Sequence, residues 1–202
     1  MAVGILAFGS IVNEPGLEIE AARAFSIERV STPFMVEFAR TSRTRDGAPT
    51  LVPVGTGGAS VSGTLLVLKD SVSEDVAFDL LYRREAGRVN ERITYRQSGA
   101  KWIGMVRDFA GVDVCLYTAL EANIMPVRTE RLVELAIFSA AALSGGERRD
   151  GISYLEDQKT RGVWTPLMSG YEEGILVRTG TRSLQAAWAE VRVNPSKYKR
   201  RG

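Results

Sequence analysis

The sequence predicts an α+β fold, with strand-like segments through the first part of the chain and helices in the last third. Short runs in which apolar and polar residues alternate, separated by glycine- and proline-rich turns, dominate the region before residue 120. Longer segments with helical spacing follow, and no internal repeat or low-complexity segment interrupts them. The length of 202 residues favours a single domain over 1–202, and a composition of 45% hydrophobic and 25% charged residues is ordinary for a globular protein.

The strands are predicted from apolar runs and from turn signals. Residues 3–8 are apolar and indicate a first strand, after which Asn13-Glu14-Pro15-Gly16 indicates a turn and 17–25 a short helix. Phe34, Val36 and Phe38 alternate with Glu37 in the segment 34–41, which predicts a strand. Further strands are predicted over 50–54, 60–69, 91–96, 102–107 and 112–119.

The helices are predicted from capping residues and from 3.6-residue spacing. Ser71 and Glu74 have the spacing of a capping box, and the helix that follows is expected to stop at Gly87. Asp79 and Arg83 stand four apart and are expected to pair on its solvent face. Further helices are predicted over 130–143, ending at Gly145-Gly146, over 150–161, with Asp150 as its cap, and over 183–192.

The residue types exclude several classes of chemistry. The chain has no histidine, which rules out Ser-His-Asp and Cys-His catalysis within it and removes histidine-based zinc sites. Cys115 is the single cysteine, so no intrachain disulfide forms, and its apolar surroundings predict a buried structural thiol. No spaced acidic cluster suggests a metal site.

Charge and hydropathy bear on partners and on location. The net charge of +2 argues for no general partner. The basic tail over 195–202 is interpreted as a solvated terminus, with a nucleic-acid or lipid contact as the alternative; no nucleic-acid partner is expected. No apolar run approaches a membrane span, and the first residues lack the pattern of a signal peptide. A cytoplasmic protein without a membrane partner is therefore expected.

Glu85 is the main candidate for a chemical role. At 100° per residue it projects between Phe78 and Leu81, inside the apolar arc of its helix. A carboxylate in apolar surroundings is costly unless it is paired, and such a site suits a general acid or base. The alternative is that Glu85 forms an ion pair with Arg84, Arg88 or Arg92 at the rim of the core.

Two further segments are candidates for substrate contacts. The run Phe8-Gly9-Ser10-Ile11 follows the first strand, and backbone N–H groups at such a turn hold a carboxylate or an oxyanion in many proteins. The segment 40–50 contains Arg40 and Arg43 beside hydroxyl residues, which favours a contact with an anionic substrate; a solvated loop is the alternative.

In this order, these segments resemble the γ-glutamylcyclotransferase-like superfamily. The family opens with a strand and a Tyr-Gly-Ser-Leu or Tyr-Gly-Ser-Asn loop, which Phe8-Gly9-Ser10-Ile11 matches with Phe8 in place of tyrosine. Its ChaC-like branch carries Tyr-Leu-Asp-x-Arg-Glu late in a helix, where Leu80-Leu81-Tyr82-Arg83-Arg84-Glu85 is similar. The resemblance covers roughly residues 3–120 and places Glu85 on the catalytic position.

The resemblance implies a fold and a reaction. The fold is a compact mixed β-barrel with flanking helices, a pocket at one barrel mouth and extra helices in the C-terminal third. The reaction is an intramolecular acyl transfer that releases pyroglutamate and an amine or amino acid from a small γ-glutamyl compound, either in glutathione breakdown or on a biosynthetic metabolite. The resemblance implies that this reaction needs neither a metal nor an organic cofactor. A catalytically silent binding or interaction module on the same fold is the second hypothesis. A homodimer is left open, because the apolar helix over 130–143 buries either a partner or its own core.

Overall fold

The computed structural model contains seven β-strands and eight α-helices in the residues that it describes, namely 1–89, 91–142 and 149–198. The strands are β1 (Val3–Ala7), β2 (Arg23–Ser31), β3 (Met35–Ser42), β4 (Ala48–Val54), β5 (Ser62–Leu68), β6 (Ile103–Phe109) and β7 (Val112–Thr118). The helices are α1 (Leu17–Ala22), α2 (Glu74–Ala86), α3 (Tyr95–Ser98), α4 (Thr129–Ala141), α5 (Gly151–Thr160), α6 (Met168–Thr179), α7 (Leu184–Val193) and α8 (Pro195–Tyr198). The predicted α+β class is thereby confirmed.

The chain divides into two compact units, each built from two separate stretches of sequence. The first unit combines Met1–Pro33 with Val61–Glu121, and the second combines Phe34–Ser60 with Ala122–Gly202. The expectation of one domain over 1–202 stays a prediction. Of the predicted tail over 195–202, the first four residues form α8, and the last four lie outside the described residues.

The first unit is built on a five-stranded mixed sheet. Its strand order is β2-β5-β1-β7-β6. The central pair β1–β7 is parallel, and the other neighbours are antiparallel. Within the described residues β2 and β6 are the outer strands of this sheet, so the pairing does not establish a closed barrel, which stays a prediction.

Helix α2 packs on this sheet through its apolar face. Ala77, Leu80 and Leu81 are buried in one cluster with apolar residues of β1, β5 and β7. The helix is capped by Ser73, whose hydroxyl accepts from the N–H of Val76 at 3.4 Å, so the predicted Ser71–Glu74 capping box is wrong by two positions. Its C-terminus is closed by Gly87 at a φ of 65°, as predicted.

Three other predictions in the first unit have distinct outcomes. The strand predicted over 91–96 is wrong, because Thr94 and Gln97 form a capping box that starts α3 instead. The helix predicted over 17–25 ends at Ala22, and a nine-residue strand, β2, follows without a break. Cys115 lies buried in β7, where burial raises the pKa of its thiol to about 12, which confirms the predicted structural thiol.

In the second unit, α4 contacts its neighbouring helices through glycines. A Cβ on Gly151 of α5 would lie 2.6 Å from the Cα of Ala136, and a Cβ on Gly174 of α6 would lie 2.6 Å from Val133. Small residues at these positions allow both helices to approach α4 closely. The predicted helices over 130–143, 150–161 and 183–192 correspond to α4, α5 and α7, and Gly145-Gly146 lies outside the described residues.

The burial of Glu37 contradicts the alternation of buried and exposed side chains predicted for its strand. The side chain is 2% exposed in the interior of the second unit, on the hairpin formed by β3 and β4. Its carboxylate accepts from the hydroxyl of Thr165 at 2.7 Å and from the N–H groups of Phe38 at 2.8 Å and Leu167 at 3.2 Å. Burial outweighs these hydrogen bonds and raises the pKa of this carboxyl group.

Candidate active site

Glu85 lies in the last turn of α2, in the first unit, with only 10% of its side chain exposed. On the helix surface its direction falls beside that of Leu81, which is fully buried against the sheet. One guanidinium nitrogen of Arg84 donates to Glu85 Oε1. The carboxylate therefore sits at the rim of the core and is compensated by a neighbouring cation, which is the pairing that the alternative interpretation expects.

The loop after β1 turns sharply because of Gly9. Residues Gly9–Val12 form a 3₁₀ turn that begins with Gly9 at a φ of 65°, a conformation that favours glycine. Phe8 and Ile11 are buried at 6% and 3% exposure, so both side chains anchor the turn in the core. Ser10 is half-buried and its carbonyl accepts from Glu14 N at 3.0 Å, which closes the loop.

Arg84 joins this loop to the end of α2. Its Nε and Nη2 donate to the Glu14 carbonyl at 3.0 and 2.8 Å, and Nη2 also lies 3.4 Å from Ser10 Oγ. Its third nitrogen, Nη1, contacts Glu85. Two sequence-predicted segments, 74 positions apart, thus meet at one guanidinium group.

Gly16 lies next to Arg84, and its positive φ is a backbone conformation that favours glycine. Gly16 has a φ of 89°, and a Cβ built on it would approach Arg84 Cγ to 3.4 Å. The neighbouring Arg83 reinforces the same junction through a double hydrogen bond to Glu18 on α1, both at 3.1 Å. The predicted Asp79–Arg83 pair is therefore wrong, and Asp79 instead accepts from the N–H of Tyr95 at 2.7 Å.

Arg40 and Arg43 belong to the second unit. Arg40 pairs with Thr50 within the β3–β4 hairpin, and the Thr50 hydroxyl donates to the Arg40 carbonyl at 3.1 Å. Arg43 begins a 3₁₀ turn over Arg43–Arg45, and the guanidinium of Arg45 lies 5.1 Å from the ring centroid of Tyr154. A contact of Arg40 or Arg43 with the substrate stays a prediction.

An aromatic cluster next to α2 was not anticipated from the sequence. Tyr95 stacks on Phe78 with ring centroids 5.2 Å apart and also contacts Tyr82 at 6.0 Å. Trp102 contacts Tyr82 at 5.7 Å. The spacing of Phe78, Tyr82 and Glu85 along one helix was visible in the sequence. The rings that contact this helix, Tyr95 and Trp102, follow α2 in the chain, and no local pattern predicts their contacts with it.

Neither a metal-binding cluster nor a membrane-spanning helix occurs in the part of the chain that the structure describes. Among residues 1–89, 91–142 and 149–198, no group of three or more histidine, cysteine, aspartate or glutamate side chains is placed to hold a metal ion. In the same part of the chain, every helix is too short or too polar to span a bilayer.

Comparison with protein-family models gives no match for this sequence, and comparison with curated proteins gives none either. Function is therefore inferred from the residues themselves and from the resemblance of their motifs.

Proposed function

We propose that this protein is a γ-glutamylcyclotransferase-like enzyme acting on a small γ-glutamyl compound. The observation that carries the proposal is the junction at Arg84, which brings the loop containing Ser10 to the half-buried carboxylate of Glu85. These are the two segments in which the sequence resembles the superfamily. The closed barrel and the pocket at its mouth belong to the same proposal.

The reaction requires a base and no co-reactant. The α-amine of a γ-glutamyl group is mostly protonated at neutral pH and must lose a proton before it attacks its own γ-carbonyl carbon. Glu85 takes that proton, a new C–N bond closes the five-membered ring, and the γ-amide C–N bond breaks. The proton ends on the departing amine, so the substrate divides into pyroglutamate and amine with atoms and electrons balanced.

The protein mainly imposes geometry, because the nucleophile and the carbonyl belong to the same molecule. Backbone N–H groups near Gly9 and Ser10 stabilise the oxyanion or hold the α-carboxylate. Arg84 fixes the orientation of the Glu85 carboxylate and offsets the cost of its half-buried charge. Neither a metal nor an organic cofactor enters any of these steps.

A second candidate is a binding or interaction module in which Glu85 is a structural partner. The ion pair between Arg84 and Glu85 favours this reading, because it accounts for a half-buried carboxylate without catalysis. The two candidates differ in one property. A structural carboxylate contributes to folding stability, whereas a catalytic base contributes to turnover.

The test is a pyroglutamate-release assay with Glu85→Gln beside the wild type. Substrates are glutathione, γ-glutamyl dipeptides and γ-glutamyl amines. Glutamine keeps an acceptor for Arg84 but is not a base, so we expect turnover to fall at least ~100-fold, the usual contribution of general-base catalysis, with the melting temperature little changed.

The matched control is Glu91→Gln, which removes an exposed carboxylate shortly after α2, paired with Arg88 at 3.7 Å. This variant should keep wild-type turnover. No release of pyroglutamate from any substrate by folded wild type would contradict the enzyme proposal. A large loss of melting temperature in Glu85→Gln, with turnover absent throughout, would favour the binding module.

A further inference from the structure

We infer that the aromatic cluster beside Glu85 binds the leaving group and selects γ-glutamyl compounds whose leaving amine carries an aromatic or large apolar side chain. This inference rests on the proposed function. The cluster comprises Phe78 and Tyr82 on α2, Tyr95 on α3 and Trp102 before β6. Trp102 is its most accessible member, 36% exposed, and is the residue that we assign to the leaving group.

The helix places the cluster on the side of Glu85. Phe78, Tyr82 and Glu85 are spaced by four and three residues, so they follow one another along a single side of α2. Tyr82 lies one turn before Glu85, about 4.5 Å along the helix axis at 1.5 Å per residue. Arg84 points to a different side, toward the loop at Ser10 and Glu14. The carboxylate thus has a polar flank and an aromatic flank.

The two flanks match the two ends of a γ-glutamyl substrate. The γ-glutamyl end carries an amine and a carboxylate, which suit the hydrogen-bonding groups of the loop at Ser10. The leaving group is the part that varies among substrates, and the remaining flank carries the four aromatic rings. Aromatic rings attract other rings and apolar groups through contact area and quadrupole geometry.

The segment that carries Tyr95 and Trp102 is fixed at several points. The N–H of Tyr95 donates to Asp79 Oδ1 at 2.7 Å, and Arg96 pairs with Asp75 at 2.9 Å. The carbonyl of Trp102 accepts from Ala119 N, which ties the start of β6 to the end of β7. Rings held by the backbone in this way lose little conformational freedom when a ligand packs against them.

The experiment compares γ-glutamyl-phenylalanine with γ-glutamyl-alanine. The two leaving amines have similar basicity and differ by a phenyl ring, so the ratio of their kcat/KM values reports contact with that ring. We expect the wild type to prefer the phenylalanine substrate by about three- to tenfold, the range typical of one aromatic contact. In Trp102→Ala the ratio should fall to near unity.

The control is Trp164→Ala, which removes a 59% exposed tryptophan from the second unit and should leave the ratio unchanged. Tyr95→Leu is a second variant of the cluster, to be used if Trp102→Ala fails to fold. It should also lower the ratio. General loss of stability lowers both kcat/KM values together and leaves their ratio intact. Release of pyroglutamate from both substrates at equal kcat/KM by wild type would overturn this inference alone. No release from either would overturn the proposed function as well.

Discussion

Arg84 uses all three of its guanidinium nitrogens, in contacts to Glu14, Ser10 and Glu85. The sequence named Arg84 as one of three arginines that could pair with Glu85, because the two are adjacent. It did not indicate the loop contacts, which depend on how β1 and α2 pack. A planar group with five donors suits such a junction better than a lysine ammonium, whose charge is concentrated at a point.

In contrast to Arg84, Tyr171 has a buried polar group that makes no hydrogen bond to the described residues. Its ring is fully buried against Phe38 at 5.4 Å, and its hydroxyl has no hydrogen-bond partner among the residues that the structure describes. Burial raises the pKa of this hydroxyl well above its usual range. A buried hydroxyl without a partner costs free energy that a phenylalanine avoids.

We therefore expect Tyr171→Phe to leave the free energy of unfolding unchanged or to raise it by up to about 1 kcal/mol. Tyr154→Phe is the matched control, because its hydroxyl accepts from Leu51 N at 3.4 Å and its removal should cost about 1 kcal/mol. Urea unfolding monitored by circular dichroism measures both. A loss of more than about 1 kcal/mol in Tyr171→Phe would show that the hydroxyl has a partner, such as a buried water.

At the scale of the elements, helix α5 depends on a single capping residue. Asp150 is buried, and its Oδ1 accepts from the N–H groups of Ile152 at 2.9 Å and Ser153 at 3.0 Å. Its Oδ2 accepts from Ser153 Oγ at 2.8 Å and from the indole N–H of Trp188 on α7 at 2.9 Å. The sequence predicted the cap, but only the packing of α5 against α7 supplies the contact with Trp188.

Asp150→Ala should cost about 2–4 kcal/mol, since it removes the cap and leaves the indole N–H without its acceptor. Ser183→Ala provides the comparison, because Ser183 caps α7 through one exposed contact with Ala186 N at 3.2 Å and should cost only about 1 kcal/mol. Thermal and urea unfolding of both variants measure the difference. Equal costs would show that the contacts beyond the cap contribute nothing.

Elements with strong local signals were predictable, and those set by distant contacts were not. Helices α2, α5 and α7 carry capping residues and regular spacing, so their positions follow from the sequence within a few residues. Strand β2 was missed because most of its side chains are exposed and its residues show little alternation. It forms through pairing with β5, whose residues lie far along the chain.

At the scale of the whole molecule, Glu37 links two segments of the second unit that lie far apart in the sequence. Its carboxylate joins β3 to the segment before α6 through Thr165, 128 positions away. The folded state raises the pKa of this group above the usual 4.5, so the folded protein holds the proton more tightly than the unfolded chain does. Its contribution to stability is therefore fully present below pH 4.5 and declines as the pH rises through the folded-state value.

Comparison of the wild type with Glu37→Gln isolates the contribution of Glu37 to the pH dependence of stability, because the other titrating groups are common to both proteins. We expect the free energy of unfolding of wild type, relative to the variant, to fall as the pH rises above about 4.5. Urea unfolding between about pH 4 and 8 measures it. If the difference in free energy of unfolding between the two proteins does not change with pH, the raised pKa of Glu37 is contradicted. The loss of the acceptor for Leu167 N adds a cost that is the same at every pH and does not affect this test.

The sequence by itself determined the α+β class, most of the helices and strands, the buried thiol of Cys115, and the choice of Glu85 and Ser10 as candidate residues. Each depends on local patterns, on the spacing of apolar residues or on the absence of histidine. The tertiary structure decided that Arg84 joins Ser10 to Glu85, that Glu37 is buried, and that aromatic rings flank α2. These features arise where distant segments pack together, and the free energy of such contacts has no counterpart in the local sequence.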